Sequence, residues 1–329
     1  MRAVLSWTFL AAAALAAPAV AQPSTTVVDP VRDPAQGPAE VDRTTTTQDI
    51  AFKYDRNARM TVPVRLGGRG PYRFLVDTGA DRTAVSTAVA AQLGLSDGPM
   101  ATLHSITGTS EVRTANVPRL ELGPDRVRSV EAPLLDAVNM GADGILGVDS
   151  LTSQRVMFDF KTRIISIVPS AQRIVRDEVG TIVVRGKLRR GHLIVTTATA
   201  NGVPMTVVLD TGSEITLGNA ALRARLEGRR KLGLAERVEM TSVTGQKLVG
   251  DAFQLREVKI GDVILKDLVI MFSDAAIFRT LDLERKPTVL LGMNAMRAFD
   301  KVSIDFARKQ LRMVIPEQSS IDAAVMAAR

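Results

Sequence analysis

The chain has 329 residues, of which 46% are hydrophobic and 23% are charged. This balance is typical of a globular protein with room for two domains and argues against disorder as the default state. The formal net charge is +7, but the basic residues are spread along the chain without interleaved aromatic residues. Nucleic acid is therefore not an expected partner.

The first 21 residues have the features of a secretory signal peptide. Arg2 supplies a positive charge, Leu10–Ala17 form an apolar run, and Ala19-Val20-Ala21 has the small-x-small pattern of a signal peptidase site. The run is shorter than the roughly 20 residues needed to span a bilayer, so we expect cleavage of residues 1–21 and no membrane span afterwards. Retention as an anchor is the alternative. Export predicts a periplasmic location, with secretion to the medium as the alternative.

Cysteine is absent, and His104 and His192 are the two histidines. Stability must therefore come from packed cores and not from disulfides. The sequence contains no HExxH pair, Cys/His cluster, P-loop, GxGxxG or GxSxG motif. We expect no metal and no cofactor, which leaves carboxylates as the candidate chemical groups.

Residues 22–50 are rich in proline and threonine and predict a flexible leader. From residue 51 onwards, short β-branched and aliphatic runs are separated by Gly, Asn, Asp and Pro, which predicts an all-β fold with few short helices. We divide this part into an N-terminal lobe, 51–170, and a C-terminal lobe, 171–316. Residues 317–329 are predicted to be a tail.

An internal repeat supports this division. In the first copy, the strand Met60–Leu66 and a glycine-rich turn precede a second apolar strand that ends in Asp77-Thr78-Gly79. In the second copy, the strand His192–Ala200 and the hairpin signal Asn201-Gly202 precede an apolar strand that ends in Asp210-Thr211-Gly212.

Further landmarks follow in the same order in both copies. The equivalent pairs are Asp77 and Asp210, Gly108 and Gly245, Gly147 and Gly292, and Asp159 and Asp305. The separation within a pair rises along the chain from 133 to 137, 145 and 146 residues. The rise places an insertion in the second copy between Gly245 and Gly292, around residues 272–286.

A single Asp-Thr-Gly would be interpreted as a turn. Two copies, each after an apolar strand and each followed roughly 70 to 80 residues later by apolar-apolar-Gly, resemble the retropepsin-like aspartic protease family over residues 51–316. The resemblance implies two β-barrel lobes related by pseudo-two-fold symmetry, paired within one monomeric chain. It also implies that the substrate is an extended peptide or protein, bound by strand addition.

The resemblance also implies roles for individual residues. These are Asp77 and Asp210 as the catalytic pair, Thr78, Gly79, Thr211 and Gly212 as its support, and Gly108 and Gly245 in two flaps. The threonines would bond across the two loops, the supporting glycines would allow close backbone approach, and the flaps would open and close over the substrate. Two carboxylates in contact hold one proton between them, so one acts as base and the other as acid on a water molecule.

Further expectations concern a serine, three other acidic residues and three apolar residues. We expect the Ser213 hydroxyl to donate to the Asp210 carboxylate, and we interpret Asp143, Asp159 and Asp305 as structural turn and strand-end residues. Leu103, Ile106 and Val243 are candidate substrate-pocket residues from their positions in the flaps.

Three alternatives stay open. The fold could serve as a catalytically silent peptide-binding module, although a retired site usually loses an Asp or Thr and both loops are intact. The catalytic pair could form between two chains, although repeats joined by a linker pair more easily within one. A basic adaptor that binds envelope surfaces rests on charge alone.

Overall fold

A computed structural model of the chain describes residues 6–8, 12–14, 27–28, 48–51, 53–54, 60–122, 127–151, 153–172, 174 and 177–316. The predicted tail 317–329 lies outside these residues, as do most of the predicted signal peptide and leader. Short strands are described in those N-terminal segments: β1 (Ser6–Thr8), β2 (Ala12–Ala14) and β3 (Val27–Val28). No helix in the described part of the chain is long and apolar enough to cross a membrane.

The first half is almost entirely β-structure. Its elements are β4 (Gln48–Ala51), β5 (Lys53–Tyr54), β6 (Met60–Leu66), β7 (Arg69–Val76), β8 (Ala84–Ser86), α1 (Thr87–Leu93), β9 (Ser96–Asp97), β10 (Ala101–Ser105), β11 (Gly108–Val112), β12 (Thr114–Glu121), β13 (Val127–Leu135), α2 (Ala137–Met140), β14 (Gly144–Leu146), a 3-10 helix (Val148–Ser150), β15 (Gln154–Asp159) and β16 (Ile164–Pro169). Eight strands form one sheet in the order β5-β6-β7-β14-β8-β13-β12-β9, and a further pairing of β6 with β12 closes it into a barrel.

The second half repeats this plan. Its elements are β17 (Thr181–Arg185), β18 (Lys187–Arg189), β19 (His192–Ala200), β20 (Val203–Leu209), β21 (Thr216–Gly218), α3 (Ala220–Glu227), β22 (Glu236–Ser242), β23 (Lys247–Ile260), β24 (Val263–Phe272), α4 (Ala276–Thr280), β25 (Thr288–Leu291), α5 (Met293–Met296), β26 (Lys301–Asp305) and β27 (Gln310–Val314). The sheet order is β18-β19-β20-β25-β21-β24-β23-β22-β2, with β3 on β24, and the pairing of β19 with β23 closes this barrel.

A third sheet joins the two halves. Its order is β17-β27-β26-β15-β16-β4, and β15 of the first half pairs antiparallel with β26 of the second. Residues 48–50, which the sequence assigns to the flexible leader, lie in β4 at the edge of this sheet. Gln48 and Asp49 show no apolar alternation, so the sequence carries no signal for this strand, and the ladder that pairs them comes from β16, more than 100 residues away in the sequence.

The strands form where apolar residues alternate. In β6, Met60, Val62, Val64 and Leu66 are at most 1% exposed, whereas Pro63 and Arg65 between them are exposed, as the two-residue period of a half-buried strand requires. The hairpin between β19 and β20 turns at Asn201 and Gly202, whose φ angles of 45° and 75° are those of a type I′ turn. The all-β fold with few short helices is confirmed.

The extra residues of the second copy lie between β24 and β25. Residues 136–143 join β13 to β14 in the first half, whereas residues 273–287 join β24 to β25 in the second and include α4. The apolar residues of this segment turn inward, because Ile277, Phe278, Leu281 and Leu283 are at most 3% exposed. The insertion is therefore a packed element and not a solvated loop.

Candidate active site

The two Asp-Thr-Gly loops meet between the barrels. Each aspartate follows directly on a strand, Asp77 after β7 and Asp210 after β20, and both side chains are 0% exposed. The backbone amide of Gly79 donates to Asp77 Oδ1 at 2.7 Å. The amides of Gly212 and Ser213 donate to Asp210 Oδ1 at 3.0 and 3.2 Å. These amide bonds fix the direction of each carboxyl group relative to its own loop.

Thr78 and Thr211 bond across the two loops. The amide of Thr78 donates to Thr211 Oγ1 at 2.9 Å, and the amide of Thr211 donates to Thr78 Oγ1 at 3.1 Å. Each hydroxyl in turn donates to a carbonyl at the end of the opposite strand, Thr78 to Leu209 at 3.3 Å and Thr211 to Val76 at 2.7 Å. Four buried hydrogen bonds therefore hold the two halves in register at the aspartates.

Gly212 shows how close the loops come. A Cβ atom added at Gly212 would lie 2.3 Å from both Cγ and Oδ2 of Asp77, far inside ordinary contact distance. The carboxyl group of the first loop thus rests against the backbone of the second, next to Asp210. Only glycine leaves room for this approach.

A second layer supports each loop from behind. Asp77 N donates to Leu146 O and Asp210 N donates to Leu291 O, both at 3.1 Å. Each of these carbonyls immediately precedes the glycine of an apolar-apolar-Gly element. At Gly147, a Cβ would lie 2.5 Å from the backbone of the first loop, so this element packs directly against it.

Polar residues that the sequence analysis missed tie this layer to the loops. In the first half, Thr83 Oγ1 accepts from Gly147 N at 3.2 Å and donates to Asp149 Oδ1 at 2.8 Å. In the second half, Thr216 Oγ1 accepts from Gly292 N at 3.1 Å and donates to Asn294 Oδ1 at 2.8 Å. A signal was present, since each threonine stands six residues after its aspartate and each partner two residues after its glycine.

The hairpins that carry Gly108 and Gly245 reach into the opposite halves. Gly108 opens β11 with a φ of 144°, and Gly245 lies in the turn between β22 and β23 with a φ of 81°. Ile106, at the tip of the first hairpin, is fully buried in an apolar cluster of the second half. Val243, at the tip of the other, is fully buried in a cluster of the first half. The candidate pocket residue Leu103 is likewise 0% exposed.

The hairpin tips are also joined by hydrogen bonds. Thr107 Oγ1 donates to Gln246 Oε1 at 2.6 Å, which connects one tip to the other. Ala276 N, at the start of the insertion helix α4, donates to Ile106 O at 2.7 Å. The structure therefore has both hairpins in a closed arrangement, and α4 contributes to holding the first of them.

One polar expectation was wrong. The Ser213 hydroxyl donates to Ile215 O at 2.7 Å and not to the Asp210 carboxylate, because the loop turns the side chain towards its own backbone. Asp210 instead accepts a hydrogen bond from the backbone amide of Ser213.

The structural interpretation of the other acidic residues was correct. Asp143 Oδ2 accepts from Arg73 N at 2.8 Å, and Asp305 Oδ1 accepts from Ser170 Oγ at 2.5 Å. Asp159 lies 3.5 Å from Lys301, which also binds Glu178 at 2.8 Å. Burial lowers the pKa of Lys301, but Glu178 and Asp159 together outweigh it, so the pKa of Lys301 lies above its ordinary value.

No group of three or more His, Asp or Glu side chains within the described ranges is arranged to hold a metal ion. The chemical groups that the site offers are the two carboxyls and the surrounding backbone amides. In such an arrangement, water is the nucleophile that the two carboxyl groups could activate.

The comparisons with known proteins agree with this geometry. A family model described as aspartyl protease matches the chain twice, over residues 62–150 and 196–295. The two matches together cover more than half of the chain, and each contains one Asp-Thr-Gly loop. None of the curated proteins matches the sequence significantly. This chain belongs to the retropepsin-like aspartyl protease family, in a form that carries two repeats.

Proposed function

We propose that the protein is an aspartic endopeptidase that hydrolyses peptide bonds of exported or envelope proteins, with Asp77 and Asp210 as one catalytic pair. One observation carries the proposal. The carboxyl group of Asp77 rests against Gly212 while the Thr78 and Thr211 bonds lock the two loops together. One carboxyl from each repeat thus lies in a single buried site.

The chemistry follows from the repulsion between two carboxylates. Two like charges in contact cannot both be ionised at low cost, so the pair retains one proton. The ionised member takes a proton from a water molecule whose oxygen attacks the scissile carbonyl carbon, and the protonated member gives its proton to the carbonyl oxygen. The carboxyl that took the water proton then gives it to the peptide nitrogen, the C–N bond breaks, and one hydroxyl of the tetrahedral intermediate returns its proton to the other carboxylate as the carbonyl re-forms. The products are a new carboxyl terminus and a new amino terminus.

The hairpins offer edges on which a substrate can lie. In the structure, β1 pairs parallel with β10 and β2 pairs antiparallel with β22. Both hairpins therefore accept an added strand next to the site, which supports binding of an extended peptide through main-chain hydrogen bonds. We propose that β1 and β2 leave with a cleaved signal peptide, so that the mature protein in the periplasm has these edges free for substrate.

The test uses residues 22–329, casein as an unfolded substrate, and buffers from pH 4 to pH 8, with and without pepstatin. We expect pepstatin-sensitive internal cleavage, identified by mass spectrometry of the new termini, and its loss in Asp77→Asn and in Asp210→Asn. Binding of casein without cleavage by all three proteins would instead support the silent peptide-binding module.

A further inference from the structure

A buried histidine of the second half faces the catalytic loop of the first. His192 begins β19 and its side chain is 0% exposed. Its Nε2 atom lies 3.1 Å from Oδ1 of Asp81, four residues after Asp77. β19, which pairs with the strand that ends at Asp210, thus contacts the loop that carries the other aspartate.

Burial of the polar His192 ring is unfavourable, and the Asp81 carboxylate is the neighbouring group that can offset this cost. Among the described residues, neither ring nitrogen of His192 has a partner in hydrogen-bond geometry. A buried polar group without such a partner is unfavourable. The Asp81 carboxylate is close enough to compensate through its charge, and at 26% exposure it stays partly hydrated.

Both sides of the contact are fixed to the backbone. Arg190 and Gly191, with φ angles of 48° and 86°, form the tight turn that places His192 at the start of its strand. On the other side, Asp149 N donates to Asp81 O at 3.2 Å, and Asp149 Oδ1 also accepts from Thr83. A displacement of Asp81 would therefore also displace Asp149 and Thr83, which support the catalytic loop.

The charged residues that adjoin this contact, in sequence or through a hydrogen bond, ion pair or strand pairing, come from both halves. They are Asp81, Arg82 and Asp149 from the first half, and Arg189, Arg190 and Asp282 from the second. Arg189 stands opposite His192 in the pairing of β18 with β19, but its guanidinium binds Asp282 at 2.9 Å. The Asp81 carboxylate lies within ion-pair distance of the ring.

We propose that His192 is a positioning residue for the Asp77 loop, and that protonation of its ring in mild acid converts the contact with Asp81 into an ion pair between the two halves. This inference rests on the proposed function. Histidine changes charge within about pH 5 to 8, and opposite charges at the 3.1 Å separation of Nε2 and Oδ1 attract each other without requiring hydrogen-bond geometry. The Asp77 loop is therefore held more firmly against the second half at pH 5 than at pH 8.

The experiment compares wild type with His192→Gln, whose amide nitrogen replaces Nε2 as a neutral donor. Urea unfolding and kcat for casein are measured at pH 5 and pH 8 on residues 22–329. The ratio of the variant's unfolding constant to that of wild type should rise about five-fold from pH 8 to pH 5, the upper end of what a partly hydrated ion pair contributes. The ratio of wild-type kcat to variant kcat should also rise from pH 8 to pH 5.

Two further variants assign the effect. His104→Gln removes the other histidine and should leave the pH-dependent gap between wild type and His192→Gln in place. In an Asp81→Asn background, the proteins with His192 and with Gln at that position should differ by the same factor at pH 5 and at pH 8. The reason is that the ring then lacks the Asp81 carboxylate as its ion-pair partner.

Each outcome decides the proposal. Unfolding ratios that differ by less than two-fold between pH 5 and pH 8 overturn the ion pair. A five-fold change in unfolding with an unchanged kcat ratio overturns the positioning role. A wild type without activity refutes the proposed protease, whereas the unfolding comparison still decides whether the ion pair forms.

Discussion

Gly212→Ala tests the close approach of the two loops. The added Cβ would lie 2.3 Å from Asp77 Cγ, whereas ordinary contact begins at 3.4 Å, so the carboxyl and the second loop must separate by about 1 Å. A misplacement of about 1 Å in a catalytic site costs about 100-fold in rate. Overpacking of a buried site also lowers the free energy of unfolding by about 1–3 kcal/mol.

The assay is kcat for casein hydrolysis, corrected for the folded fraction measured by urea unfolding at the same pH. Gly233→Ala is the matched control, because an added Cβ there meets no heavy atom within 4 Å. We expect the control to match wild type in both measurements. A Gly212→Ala protein within about three-fold of wild-type kcat would refute the reasoning, because a 1 Å displacement predicts a loss of about 100-fold.

Three further predictions test the cross-loop bonds, a surface charge and the insertion. Thr78→Val leaves the Thr211 amide and the Leu209 carbonyl without their partner and should lower the free energy of unfolding by about 2–6 kcal/mol, at about 1–3 kcal/mol for each group. Thr78→Ser, which keeps the hydroxyl, should recover most of that loss in the same urea titration. Hydrogen bonds from Arg223 and Arg237 hold the pKa of Asp251 below its ordinary value. Its contribution to stability is therefore present above the unfolded-state pKa of about 3.9 and is lost as the pH falls through the lower folded-state pKa. Asp251→Asn should show a shallower fall in stability below about pH 4 than wild type, and parallel urea profiles would contradict this. Phe278→Ala should cost about 3–5 kcal/mol and should speed hydrogen exchange at the first hairpin, whose tip packs in the same apolar cluster. An unchanged exchange rate would show that the insertion does not hold that hairpin.

Features that repeat along the chain were predictable from the sequence. The strands Met60–Leu66 and His192–Ala200 have the bounds that the alternating pattern indicates. The duplicated Asp-Thr-Gly and apolar-apolar-Gly elements located both loops and their supports. The offset between copies located the segment that carries α4. These features are local or appear twice, so each copy helps to interpret the other.

Contacts between distant segments were not predictable in the same way. The burial of Ile106 in the second half and the approach of His192 to Asp81 depend on how the two halves pack. Neither leaves a pattern in the residues that flank it. The Ser213 hydroxyl shows the same limit at short range, because the path of the loop decided its acceptor.

The most direct test of the account is the activity of Asp77→Asn, Asp210→Asn and the double variant, measured side by side on casein. Residues that act as one catalytic unit are strongly non-additive. We therefore predict that each single variant loses at least about 1,000-fold in kcat and that the double variant loses no more than either single one. Single variants that each keep about half of the wild-type activity, with none left in the double variant, would show two independent sites and contradict a shared catalytic pair.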